Sequence, residues 1–260
     1  MVIGEEKKRL APQKCPLCGS LQDVAVNGHI PHPVMTDKLL VDPDRGYSFC
    51  NCRNIFFTDW SNIKQSLYND AYAERYDSEH TNRLLRNYLA IYGKMFTDNG
   101  LKDGDNVLEI GCANRSILDK FRELGYKTTG IDIIKHNWPE HNILTGNFEE
   151  MEISDKFGLI FASHVFEHFK NPIAAVNKCY ELLKPGGIIF ISMPDPYFID
   201  FKSPYAWGHW HIEEHYIMWD LQSFCDVLSE NGINPVYATH NVQNRFVCLG
   251  DFHIIGRKNE

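Results

Sequence analysis

The stretch Val107-Leu108-Glu109-Ile110-Gly111-Cys112-Ala113-Asn114-Arg115-Ser116-Ile117-Leu118 decides the fold. A short apolar run ends in an acid and a glycine, and a helical pattern begins within a few residues. That order describes a buried parallel strand turning sharply into a helix, the place where open α/β sheets hold nucleotide-like ligands. A second strand-like run, Lys127 to Asp132, ends in another acid at the spacing that lets a carboxylate accept hydrogen bonds from two ribose hydroxyls. Together the two acids predict a nucleoside site.

Working outward, strands are predicted near 106–110, 127–132, 142–145, 157–162, 187–193, 235–241 and 246–255, with helices near 115–124, 172–183 and 219–231. Pro172 suits a first helical turn, and Lys184-Pro185-Gly186-Gly187 is a stop signal. The last two strands have no helix between them and read as an antiparallel hairpin. Upstream, Leu67, Tyr68, Tyr72, Tyr76, Leu84, Leu85, Tyr88, Leu89 and Tyr92 recur at spacings that predict one or two amphipathic helices across 61–100. The expected architecture is α/β. A Rossmann-like, doubly wound, seven-stranded sheet with an antiparallel terminal hairpin occupies 101–260. A helical connector that could cover a cofactor spans 61–100, and a small amino-terminal subdomain spans 1–60.

At 260 residues the chain holds one full α/β domain plus something small, and an apolar fraction of 43% excludes global disorder. The net charge of −8 and the lack of a basic run argue against a nucleic-acid partner, since phosphate contacts need clustered Lys and Arg. No apolar stretch reaches the length of a membrane span, and Met1 to Leu10 lacks a signal core. The expectation is a cytoplasmic protein with a small-molecule substrate and no membrane partner.

The eight cysteines divide unevenly. Cys112, Cys179, Cys225 and Cys248 are scattered singly and read as buried small hydrophobes. Cys15, Cys18, Cys50 and Cys52 cluster and read as metal ligands. Cys15-Pro16-Leu17-Cys18-Gly19 has the form of a zinc knuckle, with two thiolates gripping one ion and a glycine relieving the turn. Its partner, Cys50-Asn51-Cys52, is one residue shorter than usual, so His29 or His32 stays open as a replacement ligand. Unligated cysteines are the plainer alternative, but a segment with few large aliphatics needs some staple. Four ligands would leave no open position, making the Zn2+ structural.

The strand and helix alternation, the two acids and the terminal hairpin resemble class I S-adenosylmethionine-dependent methyltransferases over roughly residues 70–255. Matching segments are Val107–Gly111, Gly130-Ile131-Asp132, Gly146-Asn147-Phe148, Phe157–Phe169 and Leu182–Met193. His164-Val165-Phe166-Glu167-His168-Phe169-Lys170-Asn171-Pro172 is similar to the segment after the fourth strand in small-molecule methyltransferases. The resemblance implies S-adenosylmethionine as cofactor. It places Glu109, Gly111 and Cys112 at the methionine part, Asp132 on the ribose, and Asn147 and Phe148 beside the adenine. Ser163 and His164 would lie near the sulfonium, with Tyr72 and Tyr76 closing over the site. The family usually has glycines at the positions of Ala113 and Arg115; Arg115 would be strained if its φ were positive. The loss matters more for a dinucleotide, whose pyrophosphate the backbone must approach, than for S-adenosylmethionine.

Methyl transfer to a hydroxyl benefits from a general base, and histidine suits that task near neutral pH. His164, His168, His209, His211 and His215 follow the predicted fourth and fifth strands, whose ends face the ligand crevice. His164, His211 and His215 are the catalytic candidates, whereas His168 reads as structural beside Glu167. The spacing of His209, His211 and His215 fixes no common helical face for a second metal. Tyr205-Ala206-Trp207-Gly208-His209-Trp210-His211-Ile212-Glu213-Glu214-His215-Tyr216 reads as an acceptor-pocket loop or lid, with Trp207 and Trp210 as either a sugar-stacking wall or core.

A ribbon joined to this domain resembles sugar- and polysaccharide-modifying methyltransferases. That resemblance implies O-methylation of a sugar nucleotide or a capsule or surface-polysaccharide precursor, a phosphoramidate pathway among them. The alternatives are C-methylation of a nucleotide-linked deoxysugar and a cofactor-binding partner without catalysis.

Overall fold

A computed structural model describes residues 13–22, 47–69, 71, 79–199, 207, 209, 211, 213–241 and 250–259. The amino-terminal segment opens with strands β1 (Gln13–Lys14) and β2 (Leu21–Gln22), paired antiparallel. Between them the Cys15–Cys18 turn is closed by Gly19 N–H on Cys15 O (2.9 Å) and Cys15 N–H on Ser20 O (2.8 Å). Gly19 sits at φ +73, where a side chain would be strained. Strands β3 (Ser48–Cys50) and β4 (Ile55–Phe57) form a hairpin over the second cysteine pair.

The helix expected from residue 61 does not start there. Two 3-10 turns occupy 60–62 and 65–67, the first capped by the Asp59 side chain. Local tertiary ties override the helical spacing: Lys64 N–H bonds Glu213 O, and the Tyr68 hydroxyl lies 2.9 Å from His168 Nδ1. Helix α1 runs Glu79–Asp98.

Seven strands then build the main sheet. They are β5 (Asn106–Ile110), β6 (Lys127–Asp132), β7 (Asn142–Thr145), β8 (Phe157–Ser163), β9 (Leu183–Pro194), β11 (Ile233–His240) and β12 (Asp251–Lys258). Their order across the sheet is β11-β12-β9-β8-β5-β6-β7. The first five are parallel; β12 is antiparallel to both β9 and β11, as the terminal hairpin predicts. The chain leaves β5 to one side for β6 and later returns on the other side for β8. The switch point therefore lies at the carboxyl end of β5, which fixes where a ligand crevice opens.

Helices α2 (Ser116–Glu123), α3 (Pro172–Leu182) and α4 (Leu221–Glu230) cover the faces. Asp220 caps α4 by accepting from Ser223 N–H at 3.0 Å, a contact worth about 1 kcal/mol, and Pro172 opens α3 where its missing N–H costs nothing. Arg115 precedes α2 at φ −80, so the feared strain is absent; its guanidinium turns outward to Glu140 at 2.7 Å.

Alternation along β8 and β9 divides the core. Phe161 and Phe190 stack 4.8 Å apart and meet Tyr88, Tyr92 and Phe96 of α1, while Ile160, Ile189 and Ile191 pack on the α3 and α4 side. One strand lies outside both arrangements. Strand β10 (Ile217–Met218) pairs with β4, Ile217 opposite Phe57 and Met218 opposite Phe56, so the cysteine-bearing sheet has the order β10-β4-β3.

The Tyr92 hydroxyl lies 2.5 Å from Nδ1 of His253, which is fully buried in β12. Burial pushes this imidazole down to about 4, against the pull of Asp251, so the folded protein keeps it neutral while the unfolded chain protonates near 6.5. The unfolded state therefore binds the extra proton, and stability falls as pH drops from 6.5 to about 4, by about 3 kcal/mol for this group. Urea unfolding of His253→Gln should lose that part of the pH dependence; an unchanged slope would exclude His253 as its source.

Candidate active site

At the end of β5, Gly111 takes φ +71, and a Cβ there would stand 2.7 Å from Val165 Cγ2. Only glycine fits both demands. The N–H groups of Gly111 and Cys112 both bond Ile131 O, at 2.8 and 3.2 Å, tying the turn to β6. Asp132 closes β6 and is nearly buried; its Oδ1 accepts from Ile134 N–H at 2.8 Å, and its Oδ2 lies 3.5 Å from His136 Nε2. The His136 ring stacks on Trp138 at 4.1 Å. Glu109 is buried with Oε2 unpartnered, and burial, then the Asp132 charge, hold its carboxyl well above the ordinary range.

Asn147 is occupied with its own turn, accepting from Glu149 N–H at 3.0 Å and donating to Glu150 at 3.3 Å. Phe148 packs into the core against Phe169 at 5.7 Å. The Cys112 thiol is buried, and burial pushes its pKa up.

The other lip of the crevice carries the histidines. Ser163 ends β8, and His164 follows at φ +55, a left-handed conformation uncommon outside glycine. His164 N–H bonds Ser192 O at 2.8 Å, and Nε2 donates to Asp251 Oδ2 at 2.9 Å. Asp251 is 0% exposed and also accepts from Ser192 Oγ at 3.1 Å. Burial opposes its charge, yet His164, then His209 and His253, hold it below the usual carboxylate range. His209 stacks on His164 at 5.3 Å. His215 is buried, and its Nδ1 donates to His209 O at 2.8 Å. Burial first, then His168 and its neighbours, push the His215 imidazole well down. His211 stands exposed, its ring edge-on to His215 at 5.6 Å.

On the far side, Cys15, Cys18, Cys50 and Cys52 bring their four sulfurs within 4.8 Å of one another. The pairs Cys15–Cys52 and Cys18–Cys50 are each 3.7 Å apart, with Ser20 Oγ 2.9 Å from Cys18. The Ser20 hydrogen bonds draw the Cys18 thiol down to about 6, while burial pushes Cys15 and Cys52 up.

The sequence pattern that defines the methyltransferase-domain family matches residues 74–238. The chain belongs to that family. A ubiquinone biosynthesis O-methyltransferase from Glaesserella parasuis serovar 5 (strain SH0165) is 32% identical over 106 residues, covering 34% of this chain and 45% of that protein. The chain thus spans under half the length of this curated relative.

Two solved methyltransferases share the fold. One is the 1,6-didemethyltoxoflavin-N1-methyltransferase of Burkholderia thailandensis, with bound 1,6-didemethyltoxoflavin and S-adenosylhomocysteine. It has TM-score 0.55 and 17% identity, over 81% of this chain and 97% of that one. The other is magnesium protoporphyrin IX methyltransferase from Synechocystis PCC 6803 with bound S-adenosylhomocysteine, at TM-score 0.56 and 13% identity, over 75% of this chain and 98% of that one.

In this member of the methyltransferase-domain family, Glu109 and Asp132 lie towards the ends of β5 and β6 with Gly111 in the turn after β5, and His209 contacts both His164 and His215. Tyr72, Tyr76, His29, His32 and Trp210 lie outside the described residues. Sequence reasoning missed Asp251. It lies 87 positions from His164, and no local spacing links the two. The only trace is an acid opening the apolar run Phe252-His253-Ile254-Ile255. No helix among the described residues is long and apolar enough to cross a membrane.

Proposed function

We propose that the chain uses S-adenosylmethionine to methylate an oxygen of a small polar acceptor. The favoured acceptor is a sugar nucleotide or a capsule or surface-polysaccharide precursor, phosphoramidate precursors included. The observation that carries this reading is His164, held in a left-handed conformation at the crevice lip with Nε2 on a buried carboxylate. An imidazole fixed this way suits a general base.

The crevice fits the nucleoside. Asp132 has Oδ1 on Ile134 N–H and Oδ2 3.5 Å from His136 Nε2, and Glu109 holds an orphan buried oxygen. The bound cofactor supplies an electrophilic methyl on sulfonium. Asp132 takes the ribose hydroxyls. Glu109, whose carboxyl is raised above the ordinary range by burial, would offer a polar floor beneath the amino-acid end. Ser163 and the Cys112 backbone would border the sulfur, and the Asn147–Phe148 backbone would border the adenine.

His164 Nε2–H donates to Asp251, so Nδ1 would be the nitrogen that takes the acceptor's proton when the cofactor supplies its methyl. Asp251 then stabilises the imidazolium. His211 and His215 border the acceptor side. Tyr197, 52% exposed beyond β9, and Trp207, edge-on to His209 at 5.3 Å, offer aromatic faces to a sugar ring.

The four cysteines fit a structural zinc. A tetrahedral site with zinc–sulfur bonds of about 2.3 Å has sulfurs about 3.8 Å apart, and two pairs here stand at 3.7 Å. Four sulfur ligands close the site to catalysis.

Turnover with a panel of sugar nucleotides and sugar phosphates tests the reading, with product analysis separating oxygen from carbon methylation. His164→Gln should lower kcat roughly 10²- to 10⁴-fold with S-adenosylhomocysteine affinity unchanged. Full kcat in that variant, or no turnover across the panel, would overturn it.

A further inference from the structure

Glu167 is 2% exposed, yet both of its carboxylate oxygens lack a hydrogen-bond partner. No lysine or arginine among the described residues pairs with it; histidines surround it instead. A buried carboxylate with two empty acceptors carries a large desolvation cost unless a cation faces it.

The neighbouring imidazoles do not supply the missing protons. His168 Nδ1 lies 2.8 Å from Glu214 O and 2.9 Å from the Tyr68 hydroxyl; the carbonyl can only accept while the hydroxyl can do either, so the arrangement that satisfies both puts the proton on Nδ1 and leaves Nε2 its lone pair. That Nε2 faces Glu167 Oε1 at 3.8 Å, too far for a hydrogen bond. His215 Nδ1 donates to His209 O at 2.8 Å, which leaves its Nε2 lone pair free in the same way. His164 donates Nε2–H to Asp251, and its Nδ1 side lies 3.5 Å from Glu167 Oε1. Acceptors thus converge on acceptors, and the donor atoms of Glu167, His168 and His215 lie within 4.8 Å of one another.

We propose that Glu167, His168 and His215 bind a divalent transition-metal cation at the acceptor end of the crevice. Two imidazoles and one carboxylate form a set that suits Zn2+, Co2+, Mn2+ or Fe2+ and leaves coordination positions open. The outer contacts have the form metal sites use: each ligating histidine has its other ring nitrogen fixed by a backbone carbonyl. Glu167 is itself pinned, its backbone oxygen accepting from Tyr216 N–H at 2.8 Å and Ile217 N–H at 3.1 Å. The site differs from the cysteine cluster in ligand softness as well as position. Its catalytic role rests on the methyl-transfer reading: a cation there binds the acceptor hydroxyl and lowers its pKa beside His164, which remains the base. Cation binding itself does not depend on that reading.

Full-length protein loaded with a single equivalent of zinc, which the four thiolates take first, and shown by metal analysis to hold one zinc per chain is titrated with Co2+ by calorimetry and visible absorption, with S-adenosylhomocysteine binding measured alongside. The wild type should take up Co2+ with d–d bands and no thiolate charge-transfer band. Glu167→Gln and His168→Gln should each weaken uptake at least about tenfold while still binding S-adenosylhomocysteine. Two substitutions are used so that a folding failure in one leaves the other to decide. Co2+ uptake unchanged in both variants, or no uptake by wild type that binds S-adenosylhomocysteine, would overturn the proposal. Co2+ uptake lost in the variants, with no S-adenosylhomocysteine binding by wild type, would support this site and count against the methyltransferase reading.

Discussion

Asp132→Ala is expected to weaken S-adenosylhomocysteine binding about 100-fold, measured by calorimetry. The reasoning starts from position. Asp132 ends β6 beside the switch point, and one of its oxygens is already used by Ile134 N–H at 2.8 Å, which fixes the carboxylate's orientation. Hydrogen bonds from ribose hydroxyls to a charged acceptor are worth about 1.5 kcal/mol each, and two lost together amount to about 100-fold. Asp132→Asn should fall between wild type and alanine, since an amide keeps one acceptor without the charge. The same change removes the charge that helps raise the Glu109 carboxyl above its ordinary range, though burial is the larger cause. Unaltered affinity in Asp132→Ala would mean that the nucleoside lies elsewhere, and the functional reading would fail with it.

Cys50→Ser, or stripping metal with a strong chelator, is expected to cost several kcal/mol of stability and to loosen residues far from the cysteines. Cys50 is buried at the end of β3, its sulfur 3.7 Å from Cys18. A structural zinc converts its binding energy into folding energy. Here that energy would also support β4, whose Ile55 and Phe57 join the same core as Ile217 and Trp219. The Tyr47 hydroxyl reaches 2.9 Å to the backbone oxygen of His215, so the loosening should extend there. Amide exchange should accelerate at Phe56, Phe57 and Met218 together. Metal analysis showing no bound zinc, with a chelator leaving exchange unchanged, would refute the structural-zinc reading.

Much of this fold is legible along the chain because its signals are local. The strand ending in Glu109-Ile110-Gly111 and the later Gly130-Ile131-Asp132 are contiguous motifs, and their periodicity needs no tertiary information. The sharp stop before β9 is less local: the strand begins at Leu183, before the glycines that suggested a later start, because Leu183 already pairs with Phe157. Residues 60–67 mislead for a related reason. Their helical spacing is real, but contacts with Glu213 and His168 hold them in short turns. The site is half legible. Its acids sit in motifs, whereas the partners of its histidines come from distant segments. Asp251 reaches His164 only because β12 lies antiparallel beside β9, with His253 opposite Ser192. Glu167 meets His215 only because the chain returns from α3 and β9 to make β10.

The pairing of β4 with β10 constrains the order in which the chain can mature. During synthesis the first sixty or so residues leave the ribosome long before Ile217 exists, so β4 waits with one edge unpaired and Phe56 and Phe57 uncovered. Nascent chains halted before residue 217 should therefore be sticky and chaperone-dependent even though their cysteine hairpins are complete. The cysteine-bearing module is made well before β10 and is completed only when β10 pairs with it.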